Sequence, residues 1–530
     1  MRHDVVNRFT PFISWILFSL VVLVGIFTIP SIGPAWDEPD NIFSGGQYLN
    51  FFRSGLDPAV LTKWDKTASY FADRIFTQDA TTPRYPPIPN FVGTVLVLVG
   101  EIMRYASTPQ HIIIVFHLAT VFFLALLVAT VYRFGRLLGL PVWASILAAI
   151  ATFLYPTLFG HGLSYLKDTT QVSLFTLSMY YLARATITKK QKYLVIGAII
   201  WGLGLATKFN AIYVPIIWVI WNIILILLGQ KKKKQLRTLI SWVLLLGLLG
   251  MVTAIAVWPY LWFHPIVHIR EVIQYFTTVG EGYRVFWDGA MYQVGVGVSL
   301  WWYPWANLIF ATPLILLIAV VGGFAGVFGH LTRMNDVGKI RLLLVIWIVL
   351  PLLRAVLPSA AFYDGIRHFM EVLPPFILLG VIGITSMTFK RLKFAPCLIG
   401  GILLCHLIFI DITYFPYSTG YLNILAQNPN ERFDRDIEAL SVKEGVEYLH
   451  KKYGTIYVWV PVGGHLSWYY LTGNDVYVYN PDAADSIILV NKPSHVSNTD
   501  LGALIRDTYV LDYEVRRGDT IFAWVYRKKG

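Results

Sequence analysis

The sequence predicts an α-helical polytopic membrane protein of about eleven spans, with interfacial helices between them and a small C-terminal α/β external domain. Three observations predict it. Hydrophobic residues make up 56% of the 530 and charged residues only 14%, where soluble domains carry about 25% charged. The apolar residues gather in blocks of roughly 20, the length that crosses a hydrocarbon core about 30 Å thick. From about residue 413 the pattern changes, as charges return and apolar runs shorten to strand length.

Pro11 to Pro30, after the basic Arg2 and Arg8, reads as a signal anchor, being too long for a cleaved signal core. Further spans are expected over 110–132, 141–160, 169–187, 193–208, 210–229, 237–258, 304–329, 341–358, 367–388 and 394–412. The stretch 88–103 is short, holds Glu101 near one end and follows Pro86, Pro87 and Pro89. Read as an interfacial or re-entrant helix, it leaves the N-terminus cytoplasmic. The basic clusters Arg133/Arg136, Arg184 to Lys192, Lys231 to Arg237, Arg333 to Arg341 and Lys390 to Lys393 then all fall inside, as membrane proteins favour. Read as a span, it would move every one of them outside. The expected placement is therefore a multi-pass protein of the cell membrane, N-terminus cytoplasmic and C-terminal domain extracytoplasmic. The net charge of +12 is topogenic on this reading and gives no reason to expect nucleic acid. Cys397 and Cys405, eight residues apart on one helix, lie roughly 12 Å apart along it, too far for a disulfide.

That topology gathers the remaining polar motifs on the external side. They are Trp36-Asp37-Glu38-Pro39 after the first span, His161, Lys167-Asp168, the turn with Lys208 and Asn210, and Tyr363-Asp364-Gly365-Ile366-Arg367-His368. A long loop, 259–303, adds Trp262, Trp287, Trp301, Trp302 and several tyrosines. Interfacial Trp and Tyr are ordinary anchors, Asp168 suits a helix N-cap, and Lys208 can snorkel to the interface. Asp37-Glu38 is harder to dismiss, because a carboxylate within a turn of a span's end is costly to desolvate.

In order, spacing and side, these motifs resemble the integral-membrane glycosyltransferases of the GT-C fold. The likeness is nearest to the bacterial branch related to protein O-mannosyltransferases and lipid A aminoarabinose transferases, and covers most of the chain. Asp37-Glu38 matches that family's acidic pair in the first external loop, which implies Asp37 as catalytic base. Arg84-Tyr85-Pro86-Pro87 resembles the segment that opens the family's membrane-surface helix, which supports a non-spanning 88–103. Tyr165-Leu166-Lys167-Asp168-Thr169 falls where the family places a second acidic residue. Ala206 to Asn210, Tyr363 to His368 and Tyr414 to Tyr417 with Tyr421-Leu422-Asn423 resemble motifs of the bacterial branch.

The implied reaction moves a hexose or pentose from a polyprenyl-phosphate donor to a hydroxyl on a protein, lipid or glycan. The departing phosphate needs no proton but does need fixed positive charge, for which Arg84, Lys167, Lys208 and Arg367 are the candidates. The acceptor hydroxyl benefits from a base, Asp37, and a single displacement inverts the anomeric centre. Glu38 and Asp168 would orient the sugar or acceptor, with His161, Asn210, Asp364 and His368 as substrate contacts. No His/Cys cluster has zinc-ligand spacing, so no metal or other cofactor is assigned, a divalent cation between carboxylates staying open. The alternative class is a transporter or flippase of lipid-linked saccharides. A carrier should line its midplane with polar groups and often shows repeated halves, whereas here the ionisable residues sit at one face.

The division expected is a transmembrane domain over 1–412 and an external domain over 413–530. In the latter, Val442 to Lys452 reads as an amphipathic helix, 455–460, 475–479 and 486–490 as strands, and 509–515 with 520–526 as a hairpin across Arg516 to Asp519. It carries no nucleotide-binding glycine motif, which suits a lipid-linked donor, and its expected work is to cover the active face or guide the acceptor.

Overall fold

The computed structural model describes residues 2–62, 66–76, 85–229, 232–331, 335–387, 394–496 and 501–529. Every apolar block expected to span is helical. The first is Arg2–Thr28; then come Pro109–Leu137, Val142–Phe153 continued by Pro156–Ser164, Leu166–Thr188, Gln191–Leu205, Tyr213–Leu228 and Lys232–Ala256. Tyr303–Phe310 continued by Leu314–Leu331, Asp336–Leu353, Leu373–Ser386 and Ala395–Tyr414 complete the set. Among the described residues six helices are long and apolar enough to cross a membrane, or up to eight if each bent pair is one span. The chain is a multi-pass membrane protein.

Two of the blocks expected to span, 141–160 and 304–329, are broken. The first bends by 59° before Pro156 and the second by 118° before Leu314, next to Pro313. Proline supplies no backbone N–H and its ring clashes with the preceding turn, so each break falls at a proline. A break in lipid must find partners for the freed carbonyls. At the second, the Asn423 side-chain amide donates to Ile309 O at 2.7 Å and Thr312 O at 2.8 Å, and its backbone N–H to Phe310 O at 2.8 Å. Elsewhere the helices pack by small residues, as membrane helices do. A Cβ on Gly383 would fall 1.9 Å from Ala319 O, and one on Gly323 2.0 Å from Leu379 O, so these glycines set how closely the two helices meet.

Ile88–Ile102 is a helix of 15 residues, about 22 Å long at 1.5 Å per residue, short of a bilayer core. Its Glu101 is held by Arg74 at 2.5 Å and by the Tyr70 hydroxyl at 3.0 Å. The long loop contains the helix Pro265–Thr278, with Ile266 and Val267 exposed, and a hairpin of β1 (Arg284–Trp287) and β2 (Ala290–Gln293).

The C-terminal sheet holds β3 (Tyr457–Trp459), β4 (Val476–Tyr477), β5 (Ser486–Val490), β6 (Tyr509–Arg517) and β7 (Thr520–Lys528) in the order β4-β3-β5-β7-β6. Each lies where alternation and turn residues predict it, and β6 and β7 form the expected hairpin. β3 runs parallel to β4 and β5, and β7 antiparallel to β5 and β6. The helix Ser441–Tyr453 buries Val442, Val446 and Leu449 against Ile488, Ala523 and Val525. The sheet domain is pinned to the helices: Lys443 donates to Pro30 O at 3.0 Å, Gln110 to Tyr469 O at 2.5 Å, and Arg517 to Phe415 O at 2.8 Å.

Candidate active site

A cavity of about 830 Å³ lies between the helix ends and the sheet domain. Its walls come from segments far apart in sequence: Trp36, Asp37 and Asp40; Tyr85; Lys167 and Asp168; Lys208 and Asn210; Arg284; Arg354; Tyr363, Asp364, Arg367 and His368. Lys492, Ser494 and His495 close it from the sheet domain.

Asp37 occupies the N-cap position of the helix Glu38–Arg53, yet its side chain makes no capping bond. It points into the cavity instead, one third exposed. The Tyr165 hydroxyl donates to its Oδ2, and Arg367 Nη2 stands 3.8 Å away. Burial works to raise the Asp37 carboxyl, but Lys167, Arg367, the Tyr165 hydrogen bond and Lys492 together outweigh it and hold it below the ordinary carboxylate value. The group is a carboxylate at neutral pH.

Asp168 lies in the first turn of Leu166–Thr188, where the helix dipole favours negative charge. Its Oδ1 takes Lys208 Nζ at 2.5 Å, and Oδ2 lies 3.5 Å from Arg367 Nε. Lys167 stands 4.7 Å from the centre of the Tyr85 ring and lines the cavity, with no carboxylate at ion-pair distance among the described residues. Arg367 is tied on all sides: Nη1 reaches Glu438 Oε1 at 2.9 Å and Asp364 Oδ2 at 3.3 Å, besides Asp168 and Asp37. Asp364 in turn takes Lys492 Nζ at 3.0 Å. Lys492 and Arg367 more than offset the effect of burial on Asp364 and keep its carboxyl low.

The other expected residues are placed as follows. Glu38 does not line the cavity; its Oε2 takes His117 Nε2 at 2.9 Å and the Ala35 N–H at 3.1 Å. Burial raises its carboxyl, and His117 and the Ala35 N–H only partly counter that. His161 is fully buried behind Arg367, with Nδ1 3.9 Å from Glu438 Oε1, in a smaller cavity of about 50 Å³ that shares Asp364 and Arg367 with the large one. The Asn210 side-chain amide donates to His368 O at 2.8 Å, and its Oδ1 accepts from Arg354 at 2.9 Å. The His368 ring packs 4.5 Å from that of Tyr363. Arg84 lies outside the described residues, while its neighbour Tyr85 lines the cavity.

Sequence reasoning missed Glu438, Lys492, Arg354 and the tyrosines 165 and 363 as parts of the site. The tyrosines stood within motifs already singled out, whereas Glu438 and Lys492 carried no signal. Among the described residues no three His, Cys, Asp or Glu side chains are arranged to hold a metal; Asp37, Asp168, Asp364 and Glu438 converge on a guanidinium.

Residues 94–260 match the model of the dolichyl-phosphate-mannose-protein mannosyltransferase family. ArnT from Cupriavidus metallidurans, bound to undecaprenyl phosphate, superposes with a TM-score of 0.50 at 14% identity, covering 96% of this chain and 97% of that one. Its apo form gives 0.51 at 12% identity with the same coverage. The fold is GT-C. The oligosaccharyltransferase of Archaeoglobus fulgidus, in the apo form, gives a TM-score of 0.48 at 12% identity over 89% of this chain and 65% of that one. No curated protein matches the sequence at a significant level. The family segment of this GT-C chain contains Tyr165, Lys167, Asp168 and Lys208, and excludes Asp37, Arg367 and the sheet domain. Those latter groups join the site through the folded geometry.

Proposed function

We propose that this chain is a glycosyltransferase that moves a sugar from a polyprenyl-phosphate donor to a hydroxyl acceptor on a protein, lipid or glycan. The reaction takes place at the extracytoplasmic face and inverts the anomeric carbon. The observation that carries this reading is Asp37, an ionised and partly exposed carboxylate sharing one cavity with Lys167 and Lys208. The donor class has support from ArnT, solved with undecaprenyl phosphate.

In the proposed step the acceptor oxygen attacks the anomeric carbon as the bond from that carbon to the phosphate oxygen breaks. The electron pair leaves with the phosphate, and the acceptor's proton passes to Asp37. A carboxylate below its ordinary pKa is a weak base for a neutral alcohol, but the hydroxyl acidifies as its new bond forms, so the transfer is favourable late in the step. Lys167 and Lys208 face the charge that accumulates on the phosphate, where fixed positive charge is worth most. Asp168 keeps Lys208 in place. Arg367, facing carboxyl groups at 2.9 to 3.8 Å, takes the role of framework for Asp37, Asp168, Asp364 and Glu438 rather than of phosphate grip.

The test is purified protein in vesicles given a radiolabelled polyprenyl-phosphate sugar and candidate acceptors. Label entering an acceptor supports the reading. Label crossing to the other leaflet without transfer would replace it with the flippase.

A further inference from the structure

Lys492 follows β5 in the sheet domain and is buried, although it lines the catalytic cavity. Its ammonium donates to Asp364 Oδ1 at 3.0 Å and to Ile437 O at 2.7 Å, and sits 4.8 Å from the centre of the Trp36 ring. An ammonium has three N–H donors. Two are spent on oxygens and the remaining side faces the indole, a favourable place for a desolvated cation. Lys492 is therefore saturated by protein groups.

Both groups it holds lead to Asp37. Trp36 is the preceding residue; its ring is flanked by His495 at 5.2 Å and His465 at 5.4 Å, and its carbonyl lies 2.9 Å from His465 Nε2. Asp364 engages Arg367 through its other oxygen, and Arg367 faces Asp37. We propose that Lys492 is a positioning residue of the catalytic centre: clamping Trp36 on one side and Asp364 on the other, it fixes the placement and charge surroundings of Asp37. The base is then complete only when the sheet domain is seated. The kinetic half of this inference rests on the glycosyltransferase reading.

Asp37 is also faced by Tyr165 and Lys167 from the central helices, Arg367 and Tyr363 from the segment before Leu373–Ser386, Tyr85, and Glu438 from the sheet domain. Lys167 and Arg367 act on it more strongly than Lys492 does, so losing Lys492 should shift the base without abolishing it.

Two measurements test the assignment. In single-turnover transfer, Lys492→Met should be slower by roughly ten- to a hundredfold, the usual penalty for a misplaced group, with donor affinity within about twofold. The acid limb of its pH–rate profile should move upward, and Lys492→Gln, which can still bond Asp364 or Ile437 O, should recover placement but not the limb. The second measurement needs no transfer. With Cys397 and Cys405 replaced by Ser, Asp37→Cys reports its thiolate fraction through alkylation rate against pH. Adding Lys492→Met should raise that thiol pKa and slow alkylation at neutral pH by about threefold, the size of a half-unit shift. An unchanged alkylation profile, or a variant that melts earlier with both pH profiles unmoved, would make Lys492 a structural tie only and overturn the proposal. An equal loss of donor affinity would overturn it in favour of a substrate contact. A wild-type protein that transfers nothing removes the glycosyltransferase reading, and alkylation alone then decides on Lys492. If Lys492→Met fails to fold, Lys492→Gln carries the two pH profiles, both of which should move as for Lys492→Met, and unmoved profiles overturn the proposal.

Discussion

Arg367→Met keeps most of the apolar stem of Arg367 and removes its guanidinium, which in the wild type lies 2.9 Å from Glu438, 3.3 Å from Asp364, 3.5 Å from Asp168 and 3.8 Å from Asp37. The carboxyls left behind do not suffer equally. Asp364 keeps Lys492 and Asp168 keeps Lys208. Glu438, with no exposed surface, keeps His161 at 3.9 Å as its one ion-pair partner among the described residues. At pH 8.5, above the value to which burial raises Glu438 and where it is chiefly ionised, breaking a buried ion pair from one side costs about 3–5 kcal/mol, a large share of a typical folding stability of about 5–15 kcal/mol. Because one partner is stranded, adding Glu438→Gln should return about 1–3 kcal/mol, the coupling usual for contacting groups. The assay is denaturant unfolding in detergent, followed by helical circular dichroism, for the four members of the cycle. An Arg367→Met protein as stable as wild type to within about 0.5 kcal/mol, yet slow in single-turnover transfer, would refute the reasoning and return Arg367 to the phosphate.

Asp37→Asn should fold normally and transfer roughly 10²–10⁴-fold more slowly, whereas Glu38→Gln, facing His117 and not the cavity, should keep most of the single-turnover rate; near-normal turnover in Asp37→Asn removes it as the base. Burial pushes the Glu438 carboxyl up to about 8 against the pull of Arg367. Between its ordinary value near 4.5 and about 8 the folded state holds a proton the unfolded chain has lost, so stability should fall as pH rises through that window. Glu438→Gln should flatten that slope, measured as unfolding midpoint from pH 5 to 8.5. Lys167→Met should cost rate with little stability, and Lys208→Met should cost both, since only Lys208 leaves a buried carboxylate behind; equal stability losses would contradict the distinction. Single cysteines at Asp57 and Lys234, with Cys397 and Cys405 replaced by Ser, should react with an impermeant thiol reagent from opposite sides of the membrane. Labelling of both from one side would undo the charge-based topology.

Much of the fold was legible because lipid leaves few choices. Blocks of about 20 apolar residues had to be helices, and the alternation in 455–526 marked strands within a residue or two of β3 to β7. The gathering of Asp37, Lys167, Asp168, Lys208, Asp364 and Arg367 followed from putting them on one side of the membrane. The role of Glu38 did not, because one step along a helix turns a side chain by about 100° and only the folded chain shows His117 waiting there. Arg435, Asp436 and Glu438 were invisible for a different reason. Charged residues in a polar stretch are normally solvated, yet here all three are at most 1% exposed, sealed between the sheet domain and the helices. Lys492 belongs to the same seam. A pairing that forms only when two domains close on each other leaves no periodicity in either.

Asn423 bears on how this molecule can be cut. Among the described residues it supplies the side-chain amide for the carbonyls at the 118° break, yet it lies beyond the long apolar helix Ala395–Tyr414, in the stretch leading to the sheet domain. Truncation after Tyr414 would leave Ile309 O and Thr312 O bare inside the helical bundle. Swapping the sheet domain with that of another GT-C chain therefore has to be done downstream of Asn423, and a graft point placed where the hydropathy falls would cut away a piece of the membrane part.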